Sequence, residues 1–360
     1  MNPSTPLRYL FFFMNPKRLL PLLFSLTLPA SVIAQGPLLP PPGSPLPTMK
    51  ALDQIEPRTI VNAANTPGDA SSLFKITQSG SYYLTGNIQG VPGKHGIFIA
   101  SDNVTIDLKG FAVIGAGPGN FDGITLDQEP FVSRRNVTVV NGTLRNWGRD
   151  GLNAIFGGSN CIYRELRFSN NGRHGLSAVS AAVVNCVALE NQNNGFVAYN
   201  STTVTGCSAQ GNGTGFTCVF GAMLSNCSAF ANGTGVYVGE GAIATNCMIR
   251  SNSAAGLALG PNAVALNNAI DNSGGKGIAI FFGGTGGRIE GNTLTRNGDG
   301  GINLTGGSGW IVLRNTARGN TGGNYLMGTN NSYGPIVNVA GVGDISATTG
   351  ANHPSANFSY

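Results

Sequence analysis

Nine short segments of the chain open with Gly followed by a large apolar residue. The residue just before each Gly forms a register of its own: Asp122, Asp150, His174, Asn194, Thr214, Thr234, Ala255, Lys276 and Gly300. The first three titrate, and one position earlier two of the segments carry Arg149 and Arg173. Side chains that recur at one place in a repeat share a face when the repeats stack. Asp122, Asp150, His174, Arg149 and Arg173 are therefore expected to converge on one patch. An Asp/His pair can give and take a proton, and an Arg fork can grip a carboxylate through two parallel hydrogen bonds. This chemistry suits β-elimination or hydrolysis of an acidic polysaccharide, with Asp122, Asp150 and His174 as candidate catalytic groups and Arg149 and Arg173 as candidate substrate-binding groups. The plainer account is that exposed turns favour Asp, Asn, Arg and His in any protein, and structural networks also gather titratable groups.

The elements that would position these residues follow from the repeat itself, which a chain with 54 Gly among 360 residues and only 10% charged residues invites. The Gly-led segments begin at Gly123, Gly151, Gly175, Gly195, Gly215, Gly235, Gly256, Gly277 and Gly301, in steps of 20 to 28 residues. After each Gly come Ile124, Leu152, Leu176, Phe196, Phe216, Val236, Leu257, Ile278 and Ile302, all apolar and fit for an inward column. Two positions later Leu126, Ala154, Ala178, Ala198, Cys218, Val238, Leu259, Ile280 and Leu304 form a second. The residue between them, from Thr125 and Asn153 through Ser177 to Asn303, fits an outer face. This period of two is that of a strand, and Gly and Asn break it every few residues because both tolerate left-handed backbone in tight turns. Three short strands and three turns use about twenty residues, so each coil stacks on the last about 4.8 Å away. The expected fold is all-β: a single-stranded right-handed parallel β-helix of roughly ten coils. Helical and leucine-rich repeats lack their signatures here.

A second marker, Asn or Gly followed by Cys or Asn, recurs at Asn185-Cys186, Gly206-Cys207, Asn226-Cys227, Asn246-Cys247, Asn267-Asn268 and Gly291-Asn292. It places four cysteines in one column, as buried small fillers or as disulfides between neighbouring coils. Between the markers runs an Asn-rich turn, Asn171, Asn191, Asn212, Asn232, Asn252, Asn272 and Asn297. No Cys-x-x-Cys pair suggests a metal site, and neither metal nor cofactor is expected.

These residues resemble the pectin-lyase-like superfamily in its generic parallel β-helix repeat branch, over about residues 72–330. The span Gly96 to Leu108 also looks like the opening coil of periplasmic copper-site maturation and alginate-epimerase-type β-helices. The resemblance implies the fold and leaves activity open. Such enzymes carry acidic pairs or triads outside the coil, but the Asn-Thr-Asp, Asp-Asp and Gly-His-Gly pattern of polygalacturonases and the Asp-Pro-His of alginate epimerases are missing from this chain.

The chain's organisation reads as a signal peptide over 1–34, a Pro-rich linker over 35–50, an N-terminal capping region over 51–95, β-helix repeats over 96–330 and a C-terminal cap with a loose tail over 331–360. Lys17 and Arg18 precede the apolar run Leu19 to Ala34, with Met14 an alternative start, so a secreted protein, extracellular or periplasmic, with no membrane span after cleavage is expected. Removing 1–34 takes away Arg8, Lys17 and Arg18 and no acid, leaving 18 basic and 16 acidic side chains, too weak an excess for nucleic acid. Seven of those bases, Arg134, Arg135, Arg145, Arg149, Arg164, Arg167 and Arg173, fall within 40 positions, and none follows until Arg250. Phe156, Tyr199, Phe220, Tyr237, Phe281 and Phe282 lie near the Gly-led strands, where they could stack on sugars or pack between coils. The expected partner is a polysaccharide or cell-surface glycan and the expected state a monomer. A non-catalytic surface, structural or adhesive β-helix is the alternative to an enzyme of lyase or hydrolase type.

Overall fold

The computed structural model describes residues 57–126, 132–281, 283–341 and 343–360. The expected signal peptide, the linker and Phe282 lie outside these residues. No helix among them is long and apolar enough to cross a membrane.

The described chain is an all-β parallel solenoid with three strand stacks. One is a 12-stranded sheet running from Ser72–Ile76 and His95–Ile99 through Ile124–Thr125, Leu152–Ala154, Leu176–Val179, Asn194–Tyr199, Thr214–Cys218, Thr234–Val238, Leu257–Leu259, Ile278–Ile280 and Ile302–Asn303 to Tyr325–Leu326. The other two stacks form one bent 24-stranded sheet, because the long strands Thr138–Trp147 and Cys161–Ser169 run through both. The nine Gly-led repeats thus gain two coils below and one above. The coils begin within the region expected as an N-terminal cap, where Ser72 pairs with His95 and Phe74 with Ile97.

The register follows the sequence columns even across the longest steps. Ile124 pairs with Leu152, Leu152 with Leu176, Leu176 with Phe196 and Phe196 with Phe216. Along this column the residues are 0–1% exposed, each burial contributing about 1.5–3 kcal/mol. Phe196 and Phe216 stack at 5.1 Å.

The repeat glycines serve a different end from the one expected. They have no left-handed backbone; a Cβ on Gly195 would lie 2.7 Å from the Gly215 carbonyl oxygen and 3.1 Å from Asn212 Nδ2. Only hydrogen fits between stacked coils there. Left-handed backbone falls instead on Asn185 (φ 53) and Asn226 (φ 54) at the outer turns.

Two ladders of inward amides and thiols tie the coils. Asn171, Asn191 and Asn212 each donate a backbone N–H to the next coil's Asn Oδ1, at 2.9–3.2 Å. The ladder passes through Asn232 and Asn252, then meets Ser273, not Asn272 as expected, before Asn297 and Asn320. In the second, the N–H groups of Cys186 and Cys207 point at the sulfurs of Cys207 and Cys227, both at 3.3 Å. It continues through Asn268, Asn292 and Asn315. Asn357, in the segment expected to be a loose tail, completes it by accepting the Asn315 N–H at 3.0 Å. All six cysteines are free and buried.

Candidate functional site

The five candidate residues sit where the chain turns into the 12-stranded sheet. The turn at Arg149 and Asp150 is anchored from inside: Asn171 Oδ1 accepts the Trp147 N–H at 3.1 Å, and Asn171 Nδ2 bonds onward to Asn191 at 2.8 Å. The inner ladder therefore fixes how the outer column is stacked.

The structure brings all five together and adds His95, the same position one coil earlier. Each side chain accepts the backbone N–H of the column residue on the next coil. His95 Nδ1 accepts from Asp122 at 2.9 Å, Asp122 Oδ1 from Asp150 at 2.9 Å, Asp150 Oδ1 from His174 at 3.2 Å and His174 Nδ1 from Asn194 at 3.2 Å. Asp122 and Asp150 are 0% exposed, not the exposed turn residues the plainer account supposed. Their second oxygens take up outward-facing side chains of the strand above: Asn153 Nδ2 donates to Asp122 Oδ2 at 3.1 Å and Ser177 Oγ to Asp150 Oδ2 at 3.1 Å. Thr125, Asn153 and Ser177 face outward as expected, yet they too are fully buried. The long steps supply added chain beside them, where Arg134–Arg135 pairs with Gly158–Ser159 as a separate small sheet.

Both histidines are held neutral, because a ring nitrogen that accepts a backbone N–H carries no proton. Burial lowers His95 from 6.5 to about 4, with Arg149 pushing the same way and Asp69 opposing. Burial likewise lowers His174 to about 4, opposed by Asp150 and aided by Arg173 and Arg149. The 3.6 Å approach of His95 Nδ1 to Asp122 Oδ2 is thus no ion pair at neutral pH. Burial raises Asp122 from 3.8 to about 7, with Asp150 adding to the rise and Arg149 pulling against it.

The arginines differ. Arg173 grips Asp150 with both arms of its fork, Nε to Oδ1 at 2.7 Å and Nη2 to Oδ2 at 2.6 Å. Arg149 Nε lies 3.5 Å from Asp122 Oδ1, buried and without a hydrogen-bond partner. The fork expected to hold a substrate carboxylate is, at Arg173, holding the protein's own. Chemically the column is a closed polar brace: acceptors matched to amides, and two enclosed acids, of which Asp122 is pushed up to about 7 by burial and has no open face. His95 escaped the sequence reading because the Gly-led register was started at Gly123, although Gly96-Ile97-Phe98-Ile99 has the same form and His95 stands before it.

Beyond the brace, aromatic rings line the end of the sheet where strands leave it. Tyr199 and Phe220 lie 6.0 Å apart between ring centroids, and Tyr237 and Phe281 5.3 Å apart. Phe220 is 54% and Phe281 44% exposed, and Phe156 stands further down at 61%. Gly239 and Gly260 keep the surface beside Tyr237 low; a Cβ on Gly260 would meet the Tyr237 hydroxyl at 3.3 Å. Across the same coils the outward face presents Asn194, Thr214, Thr217 and Thr234, with Thr217 Oγ1 3.4 Å from Asn194 Oδ1.

A family model described as the right handed beta helix region matches residues 74–229 and 220–358. No curated protein sequence matches the chain. Among solved structures, the A-module of the Azotobacter vinelandii mannuronan C-5 epimerase AlgE6 is similar at a TM-score of 0.61 and 19% identity, over 74% of this chain and 85% of that one. The AlgE4 A-module from the same organism gives 0.47 and 19%, over 71% and 91%. A double mutant of the periplasmic alginate epimerase AlgG gives 0.48 and 10%, over 83% and 80%. At these identities the likeness is one of fold.

Proposed function

The chain belongs to the right-handed β-helix family, and from that premise we propose that it is an exported polysaccharide-binding protein whose ligand lies along the outer side of the 12-stranded sheet. The observation that carries this reading is the row of exposed rings Phe220 and Phe281 with their partners Tyr199 and Tyr237. Exposed aromatic rings beside hydroxyl and amide side chains are what sugar rings stack on and bond to. The AlgE6 epimerase of the fold comparison acts, by its name, on mannuronan, which adds support from fold analogy alone.

The brace enters this reading as a support. Asp122 and Asp150 would have to touch substrate to act as acid and base, and both are fully enclosed. We therefore read the protein as a binder. A lyase or hydrolase acting through His174 and the acids is what the test must exclude. The exported protein is screened against neutral and acidic polysaccharides by affinity electrophoresis, with unsaturated products and new reducing ends followed in parallel. Retention by at least one polymer, lost on Phe220→Ala, is expected. Retention by none overturns the reading, and turnover abolished by His174→Ala restores the catalytic one.

A further inference from the structure

We infer that the aromatic strip selects an uncharged glycan over an anionic one. This rests on the polysaccharide-binding reading and goes beyond it, against the acidic preference that the arginine cluster suggested. From His174 to Ile249 the chain has no Lys or Arg, and its only acids are Glu190 and Glu240. Glu240 is exposed in the turn that follows Tyr237. The strip from the coil of Gly195 to that of Gly277 spans four strand spacings, about 19 Å. The cations that bracket it are Arg173, whose fork Asp150 occupies, and Lys276 at the opposite end of its strand. Arg173 is three coils from Glu240, roughly 14 Å along the axis, beyond the ~8–10 Å over which exposed charges act at physiological salt.

An anionic polymer laid along the rings would bring carboxylates against Glu240, three coils from Arg173 and at the far end of the strands from Lys276, and desolvating a charge that is not closely paired is costly. A neutral sugar chain meets no such cost. It offers its C–H faces to Tyr199, Phe220, Tyr237 and Phe281 and its hydroxyls to Asn194, Thr214, Thr217 and Thr234, all uncharged groups that can both give and take hydrogen bonds. Selection thus comes from a repulsive element as well as an attractive surface.

The test measures affinity of the exported protein for an α-glucan, a β-glucan and a mannan, and for polygalacturonate and alginate, at physiological salt. A neutral polymer is expected to bind at least tenfold tighter than either polyanion. Phe220→Ala and Tyr237→Ala are each expected to weaken it about tenfold, and Glu240→Lys to raise the affinity for polyanions while leaving the neutral one unchanged. Tighter binding of a polyanion than of any neutral chain, still sensitive to Phe220→Ala, overturns the selectivity and leaves the binding function standing. Neutral binding indifferent to both aromatic substitutions also overturns it. Binding of neither class removes the functional reading itself.

Discussion

Replacing Arg173 with Met tests whether the outer column is a brace. The substitution keeps most of the side chain's apolar length and removes the fork. It leaves the carboxylate of Asp150, 0% exposed, with only the His174 N–H and the Ser177 hydroxyl among its present hydrogen-bond donors. Removing one partner of a buried ion pair costs about 3–5 kcal/mol, because the remaining charge has neither water nor counter-ion. Arg173 is itself about a third exposed, which places the expected loss near the lower end, roughly 3 kcal/mol. Asp150→Asn should cost less, since a freed guanidinium can turn to water. The double variant should then cost less than the sum of the two single changes. The assay is denaturant unfolding of all three variants beside the parent, followed by far-ultraviolet circular dichroism and tryptophan fluorescence, because a solenoid need not unfold as one unit. A loss below about 1 kcal/mol for Arg173→Met, the value of an ordinary surface pair, would refute the enclosed-pair account.

Three further outcomes are expected. His95 and His174 refuse protons that the unfolded chain binds below pH 6.5, so each adds stability above 6.5 that is lost as pH falls to about 4. Asp122 keeps a proton the unfolded chain has released, so its contribution is lost as pH rises from 3.8 through about 7. With two histidines against one acid over nearly the same window, stability from these groups should rise by a net of roughly 3 kcal/mol between pH 4 and 6.5, and fall just above. Denaturant midpoints across pH 4–8 should show the fall in the parent and not in Asp122→Asn, and a parent curve still climbing through pH 7 would contradict this. Ser273 breaks the Asn ladder with a buried hydroxyl that has no partner; Ser273→Asn should raise stability by about 1 kcal/mol, and a lowered midpoint would mean that the site cannot take the amide. Finally, the thiols of Cys207 and Cys227 are pushed up to about 12, first by the neighbouring thiol of the column and then by burial. With all six cysteines also buried, a thiol-disulfide reagent should detect almost no cysteine in the native protein and all six once it is denatured, whereas fewer than six would reveal disulfides in the protein.

The solenoid and its register were legible in the sequence because every coil repeats the same demands. An inward position takes an apolar residue in nine repeats out of nine, so Ile124, Leu152 and Leu176 align whatever the length of the turns between them. The Cys186 column and most of the Asn column could be read for the same reason, and the convergence of Asp122, Asp150, His174, Arg149 and Arg173 followed from register alone. Whether those five face water did not. Exposure at a turn depends on what neighbouring loops and strands lay over it, and the extra residues of the 28- and 24-residue steps carry no periodic signal that says where they fold. The pairing of Arg173 with Asp150, instead of a free fork, is likewise a matter of ångströms between coils. The role of the repeat glycines was visible as a need for Gly but not as its cause: the collision awaiting a Cβ at Gly195 comes from Gly215, twenty residues away, and exists only once the coils are stacked at strand spacing.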